Sequence, residues 1–290
     1  METNKVYKNV SLTKFNSWKV GGKAEYFVIC SDINFLCQLI KNKKVERPIK
    51  FIGLGSNILV RDNGVKGTTI VMHKGLNNFF KEEELFYSEA GLSCSKFSKL
   101  IAKEGHIGSA FLSGIPGTIG GALAMNAGCY GSEIWSFVKK VKMINADGDL
   151  IERNPNDFKV GYRKIQKKIK TENFVGAWFS FPKGKKLEAE KSIRKLLSHR
   201  KSTQPLSWPS AGSTFKNPDN NHAAKLIEDC GLKGFKIGDA KISEKHANFI
   251  INLGAAKAKD IEDLIKHIKK IVFRETKIKL IPEVEIIGDV

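Results

Sequence analysis

The sequence predicts an α+β fold, and three observations lead to this expectation. Helix-like and strand-like segments alternate in the first half of the chain, which is typical of α/β or α+β folds. From Lys139 onward the pattern turns strand-like, which predicts a second sheet layer. The last third combines a short helix, a strand, a long amphipathic helix and a closing strand. A length of 290 residues fits two or three packed subdomains.

The first half carries two helical patterns and three strand patterns. Asp32 is a suitable N-cap for a helix over 32–40, whose apolar stripe comprises Ile33, Leu36, Cys37 and Ile40. Ser95 and Gly105 are placed to begin and end a second helix. Apolar runs predict strands over 49–54, 68–72 and 85–89.

In the second half, strands are expected over 141–144 and 174–181, and a basic helix over 187–200. The Ser-, Pro- and Gly-rich stretch 202–212 indicates a domain boundary. Beyond it we expect a helix ending at Cys230, a strand over 248–253, a closing strand over 277–287, and a long helix with inward-facing Ile261, Leu264, Ile265, Ile268, Ile271 and Val272.

These patterns predict a domain over 1–202, made of subdomains at about 1–72 and 73–202, then a smaller domain over 203–277 and a C-terminal strand over 278–290.

The chain is basic, with a formal net charge of +19 that comes mostly from lysine. Such a field favours anionic partners, which include nucleic acid, a membrane surface and small phosphorylated ligands. A lysine-rich solvated surface that keeps the protein soluble is the plainer interpretation, and charge by itself favours it. Charge alone therefore leaves the class of partner open.

Cysteine usage and hydropathy indicate the compartment. The five cysteines form no C-x-x-C pair and have no histidine at metal-ligand spacing, so we expect reduced thiols and no metal site. The polar first ten residues lack the apolar core of a signal peptide, and no apolar run reaches the length of a membrane span. A soluble, cytoplasmic protein is expected.

A first glycine-rich turn, Gly53-Leu-Gly-Ser-Asn57, follows an apolar strand, where phosphate-binding turns occur. It departs from the Rossmann pattern because Ile58 occupies the third glycine position and 58–60 continues as a strand. Successive backbone N–H groups in such a turn can bind a pyrophosphate. An ordinary tight hairpin is also compatible with the pattern.

A second segment, 113–131, carries six glycines, so a flat or charged ligand could approach its backbone closely. Close helix packing through small residues is the alternative, although recurring Ser, Thr and Asn favour a ligand-lining loop. Two glycine-rich turns about sixty residues apart, neither of them Rossmann, are typical of the vanillyl-alcohol-oxidase (PCMH) type of FAD-binding fold.

From Asn16 to Gly288 the chain resembles the UDP-N-acetylenolpyruvylglucosamine reductase family, in its shorter subgroup. Six motifs carry the resemblance in order: NSWKVGG at 16–22, GLGSNILVRD at 53–62, the segment 113–131, GYR at 161–163, AGSTFKNP at 211–218 and IPEV at 281–284. Ala224 stands where the family usually has glycine, which affects local backbone geometry only.

The resemblance implies a two-part FAD-binding domain with a smaller α+β substrate domain. It also implies an FAD- and NADPH-dependent enzyme that reduces an enolpyruvyl UDP-sugar to UDP-N-acetylmuramate, a step of peptidoglycan synthesis that supports cell-wall biogenesis, cell shape and division. The implied partner is the UDP-sugar, without nucleic acid or stable membrane insertion, and the chain is expected to be a monomer or weak oligomer.

The same resemblance assigns roles to residues of this chain. Ser213 matches the proton donor, Arg163 the substrate-polarising arginine and Glu283 the catalytic glutamate. Substrate contacts are implied for Tyr162, Arg200, Asn217 and His246. FAD contacts are implied for Gly53, Gly55, Ser56, Asn57, Ile58, Ser113, Ile115, Pro116, Gly117, Gly120, Gly121 and Asn126.

Two other functions compete with this interpretation. A covalent flavin oxidase of the same fold usually carries a histidine in the first glycine-rich turn, and 53–57 contains none. A nucleic-acid-binding protein would need clustered arginines or exposed aromatics in a recognisable module, whereas lysines here are scattered along the chain.

Overall fold

The structure is a computed structural model that describes all residues 1–290, and the chain forms two compact units. The first unit comprises Met1–Lys8, Tyr26–Leu54 and Gly67–Arg200. The second comprises Asn9–Glu25, Gly55–Lys66 and Lys201–Val290. The compact units are thus discontinuous in sequence, whereas the domains expected from the sequence are continuous ranges.

Six α-helices are present: Ile33–Lys41 (α1), Cys94–Lys103 (α2), Ile119–Met125 (α3), Lys186–Thr203 (α4), Ala223–Asp229 (α5) and Ala258–Thr276 (α6). None of them combines the length and the apolar composition that a membrane crossing requires.

Strands up to residue 90 are Val6–Ser11 (β1), Lys23–Ile29 (β2), Ile49–Ile52 (β3), Ile58–Val60 (β4), Val65–Val71 (β5), Phe79–Glu82 (β6) and Leu85–Glu89 (β7). Those up to residue 180 are Gly128–Cys129 (β8), Ser132–Glu133 (β9), Val138–Ile144 (β10), Leu150–Arg153 (β11), Phe158–Gly161 (β12), Lys164–Lys167 (β13) and Asn173–Phe179 (β14). The last are Lys236–Ile237 (β15), Ala240–Ile242 (β16), Ile250–Asn252 (β17) and Glu285–Ile287 (β18).

The N-cap of α1 is the residue predicted from the sequence, whereas the N-cap of α2 is a different residue from the predicted one. The Asp32 carboxylate accepts a hydrogen bond from the Phe35 N–H at 2.8 Å, which confirms the predicted cap. The predicted start of α2 at Ser95 is wrong, because the preceding extended residue Ser93 provides the cap. The Ser93 hydroxyl accepts from the Lys96 N–H at 3.3 Å, so Ser95 lies within the first turn.

Two sheets are built mainly from the first unit. A four-stranded sheet has the order β1-β2-β5-β3, and β3 runs parallel to β5. A five-stranded sheet has the order β11-β10-β14-β7-β6 with antiparallel neighbours. Helix α1 packs in the core that contains β5, and α2 and α3 pack on the five-stranded sheet, in a second core that includes Phe86, Phe97, Ile119, Leu123 and Phe179.

The core of the second unit is centred on α6, as its sequence pattern predicts. The buried side chains of α6 include Ile261, Leu264, Ile265, Ile268 and Val272, while Ile271 is only partly buried against the same core. They pack with α5 and with the β15-β16-β17 sheet. Strand β18 pairs in parallel with β4.

The closing strand is much shorter than the predicted 277–287. Lys277 ends α6 in the left-handed conformation, with φ of 60°. Pro282 forms one bridge with Phe215 but has no N–H to donate to a ladder. Regular pairing therefore begins only at Glu285.

Candidate active site

Gly53, the first residue of the first glycine-rich turn, contacts the second glycine-rich segment within the first unit. A Cβ atom on Gly53 would lie 2.3 Å from the Thr118 hydroxyl, so only glycine fits at this contact. Thr118 caps α3, where its hydroxyl accepts from the Gly121 N–H at 3.4 Å. The turn after β3 consequently lies beside the first turn of α3, and the two segments together leave a surface poor in side chains.

His73 holds this arrangement from the neighbouring strand. Its Nδ1 lies 2.9 Å from the Gly53 carbonyl oxygen, and burial lowers the pKa of His73. The neutral ring therefore donates from Nδ1 to the carbonyl. This residue was not predicted from the sequence. It follows β5 as Gly53 follows β3, and residues just after parallel strands share one edge of the sheet.

The second glycine-rich segment is partly helical, which corrects the expectation of a ligand-lining loop over 113–131. Gly120 lies in α3 and is buried, and a Cβ there would lie 2.8 Å from the Ala90 side chain. Gly121 is exposed, and a Cβ there would meet only the Thr118 hydroxyl at 3.7 Å. Close helix packing thus accounts for Gly120, whereas Gly121 faces open space.

Replacing these adjacent glycines by valine separates the two roles. Gly120→Val should destabilise the fold by about 1–3 kcal/mol because it overpacks the contact with Ala90. Gly121→Val should leave stability nearly unchanged and lower the flavin content, because its side chain projects into the open surface. Absorbance at 450 nm per protein and urea unfolding of the flavin-free form measure the two effects. A Gly121→Val protein with full flavin content would exclude this surface as the cofactor site.

Several other predicted FAD contacts are engaged within the fold. The Ser113 hydroxyl donates to the Ala110 carbonyl at 2.6 Å, and the Gly117 carbonyl accepts from the Cys94 N–H at 2.9 Å. Gly55 has φ of 66°, and a Cβ there would lie 2.0 Å from the Phe15 carbonyl oxygen. Local geometry alone therefore requires glycine at position 55.

Arg163 lies in the two-residue turn between β12 and β13 and adopts φ of 51°, an uncommon conformation for a side-chain-bearing residue. Its guanidinium donates to the carbonyl of Asn126 at 3.4 Å and to the carbonyl of Gly128, and it lies 4.9 Å from the Tyr162 ring centroid. It also lies 3.5 Å from a Glu133 carboxylate oxygen. The neighbouring Tyr162 is half exposed.

Arg200, another predicted substrate contact, is partly buried in the last turn of α4, and this burial lowers its pKa. Arg163 and Arg200 both act electrostatically on the Cys129 thiol, although burial dominates and raises the pKa of Cys129 to about 11. Two cations therefore lie near one short stretch of the first unit, and this arrangement suits an anionic ligand.

Ser213 and Glu283 lie on adjacent backbone segments of the second unit. The Glu283 N–H donates to the Thr214 carbonyl at 2.8 Å, and the Lys216 N–H donates to the Ile281 carbonyl at 2.9 Å. Gly212, with φ of 73°, turns the chain immediately before Ser213. Two residues separated by 70 positions in the sequence are thus held side by side.

Asn248 and Asn57 fix these two segments. The Asn248 amide accepts from the Phe215 N–H at 2.9 Å and donates to the Phe215 carbonyl at 2.8 Å. The Asn57 amide donates to the Glu283 carbonyl at 3.0 Å. Asn248 was not singled out in the sequence, because nothing local indicates that its amide pairs with a segment 33 positions away.

The two remaining substrate candidates have clear structural partners. Asn217 accepts from the Ala223 N–H at 3.1 Å, at the start of α5. His246 Nδ1 accepts from the Asn248 N–H at 3.3 Å, its ring packs edge-on against Phe249, and burial lowers its pKa. His246 is therefore neutral at pH 7 and contributes no charge to a ligand.

Two family models and several relatives match this chain. Residues 24–154 match a family model described as an FAD binding domain, and residues 204–287 match the UDP-N-acetylenolpyruvoylglucosamine reductase, C-terminal domain. A UDP-N-acetylenolpyruvoylglucosamine reductase from Nitrosomonas eutropha is 46% identical over 94% of this chain and 85% of the relative. One from Coxiella burnetii is 41% identical over 96% of this chain and 94% of the relative.

A solved structure is also similar along the whole chain. The UDP-N-acetylenolpyruvylglucosamine reductase of Thermus caldophilus matches with a TM-score of 0.84 and 30% identity, over 98% of this chain and 99% of that one. These matches confirm the α+β fold with an FAD-binding domain of the vanillyl-alcohol-oxidase type. The chain belongs to the UDP-N-acetylenolpyruvoylglucosamine reductase family.

Proposed function

We propose that this chain uses NADPH to reduce the enolpyruvyl ether of UDP-N-acetyl-3-O-(1-carboxyvinyl)glucosamine, giving UDP-N-acetylmuramate for peptidoglycan synthesis in the cytoplasm. The observation that carries the proposal is the pairing of the AGSTFKNP and IPEV segments, which holds Ser213 beside Glu283. The names of the relatives supply the substrate class, and the proton donor follows from the motif match.

FAD would bind at the surface beside Gly53 and Gly121, where the absence of side chains leaves room for it. When bound, FAD would carry a hydride from NADPH to the terminal carbon of the enolpyruvyl group. We assign the flavin mainly to the first unit and the UDP-sugar mainly to the second, with Arg163 of the first unit as a further substrate contact. The matched family models cover 24–154 and 204–287.

Arg163 would bind the substrate carboxylate and polarise the enol ether. A planar guanidinium can make a two-pronged contact with a carboxylate, and this contact strengthens as the carboxylate takes on enolate charge. The partly buried position of Arg163, whose side chain is 14% exposed, strengthens the effect because screening by water is weaker there.

Ser213 would protonate the carbon that bears the ether oxygen, on the side opposite the hydride. Ser213 is only partly buried, so a ligand can reach its hydroxyl. A serine is a poor acid in water, but a neutral hydroxyl suffices beside a strongly basic carbanion in a dry site. Glu283 would orient the substrate carboxylate or share a proton with it.

Steady-state turnover tests this proposal. Purified protein loaded with FAD should oxidise NADPH only when the enolpyruvyl UDP-sugar is present, and mass spectrometry should find UDP-N-acetylmuramate in equal amount. A single saturable NADPH rate that is independent of the sugar, with oxygen as the acceptor, would instead identify an oxidase of the same fold.

A further inference from the structure

A carboxylate faces the guanidinium of Arg163 in the first unit. Glu133, the last residue of β9, places Oε1 3.5 Å from Arg163 Nη1. We propose that Glu133, itself held by Asn126, is a positioning residue that fixes the orientation of the Arg163 guanidinium for the substrate carboxylate. This inference rests on the proposed function.

Asn126 connects the three backbone segments around Arg163. Its amide nitrogen donates to Glu133 Oε2 at 2.7 Å and to the Gly161 carbonyl at 3.1 Å, and its amide oxygen lies 3.4 Å from the Trp135 N–H. The residue is fully buried. These bonds connect the end of α3 to β9 and to the β12–β13 hairpin. The side chain of Asn126, a predicted FAD contact, thus makes its hydrogen bonds within the protein.

The backbone conformation of Asn126 supports this role. It ends α3 with φ of 49° and ψ of 57°, the left-handed conformation that asparagine adopts more readily than most residues. The same conformation directs its own carbonyl oxygen to Arg163 Nη1 at 3.4 Å. One residue therefore contacts the guanidinium directly and also holds the carboxylate that faces it.

The negative charge of Glu133 distinguishes a positioning role from a role in substrate binding. Glu133 lies beside Arg163 with the same charge as the substrate carboxylate, so it opposes the attraction of the anion while it restricts the guanidinium. Neutralising Glu133 should therefore leave the KM for the UDP-sugar unchanged or lower it. The rate of substrate reduction should fall, because a loosely held guanidinium contacts the carboxylate in the productive orientation less often.

Glu133→Gln is the decisive variant, because it keeps the side-chain shape and an acceptor for the Asn126 amide while it removes the charge. We expect kcat to fall about tenfold without a rise in KM. Reduction of the flavin by NADPH should stay within about twofold of wild type. Glu133→Asp, which retains the charge, should recover part of the rate.

A double-mutant cycle tests whether Glu133 acts through Arg163. In the Arg163→Lys background, Glu133→Gln should lower kcat by less than about a further twofold, because the planar group that Glu133 orients is already absent. If the losses of kcat in the two single variants multiply in the double variant, the inference is wrong. A KM that rises as much as kcat falls would also overturn it.

The Arg153–Glu172 ion pair provides a matched control in the same unit. Glu172 is 4% exposed in its side chain and binds Arg153 at 2.5 Å, and we assign it no catalytic part. Glu172→Gln should lower stability without a selective loss of kcat.

If the wild type does not reduce the UDP-sugar, the proposed function fails. If the wild type does so and Glu133→Gln equals it, only the positioning role fails.

Discussion

Ser213→Ala should reduce the rate at which the enolpyruvyl UDP-sugar reoxidises the reduced flavin by roughly 10²- to 10⁴-fold, the usual cost of losing a general acid. Reduction of the flavin by NADPH should be nearly unchanged, because it requires no proton from Ser213. Ser213 is only partly buried, so stability should also remain close to wild type. Stopped-flow absorbance at 450 nm measures each half-reaction separately.

The neighbouring hydroxyl supplies the control. Thr214 is 1% exposed and its hydroxyl has no partner, so Thr214→Val should keep the wild-type rate and should not destabilise the protein. Ser213→Cys, a slightly larger but more acidic donor, should recover part of the lost rate. Near wild-type turnover by Ser213→Ala would assign protonation to water or another group and leave Ser213 as a turn residue.

Arg163→Lys should slow the same half-reaction by orders of magnitude while the flavin content stays normal. Lysine keeps the charge and has the same backbone restrictions at φ of 51°, so the variant removes mainly the planar fork. Glu283→Gln should show the same pattern, with a loss confined to reduction of the UDP-sugar. Flavin content and the two stopped-flow rates are the measurements.

Arg153→Lys is the matched control for this change, because Arg153 pairs with a buried carboxylate but has no proposed contact with the substrate. Arg153→Lys should lower the stability of the protein and leave the rates of both half-reactions unchanged. If Arg163→Lys or Glu283→Gln lost flavin in proportion to activity, these residues would have a structural role instead.

The fold was predictable where short-range patterns determine it. The apolar stripe of α6 and the Asp32 cap appear in the sequence as in the structure, because both depend on residues within one or two turns. The discontinuous second unit was not predictable. The segments Asn9–Glu25 and Gly55–Lys66 join it through long-range contacts such as the 2.7 Å bond from the Trp18 indole to the Ile250 carbonyl.

The candidate site was predictable through its motifs but not through its supporting contacts. The motif match singled out Ser213 and Glu283, and the structure brings their segments together. The local pattern did not distinguish Gly120, a packing residue, from Gly121, which faces open space. Asn248 and Glu133 were missed because each acts on a segment about thirty positions away in the chain.

A single-turnover experiment without oxygen tests the central claim most directly. The protein is reduced with one equivalent of NADPH in deuterated solvent, and the enolpyruvyl UDP-sugar is then added. We predict that the flavin absorbance at 450 nm returns completely and that NMR finds solvent deuterium in the product, UDP-N-acetylmuramate, at the carbon bearing the ether oxygen. A flavin that stays reduced after addition of the sugar would contradict the proposed function.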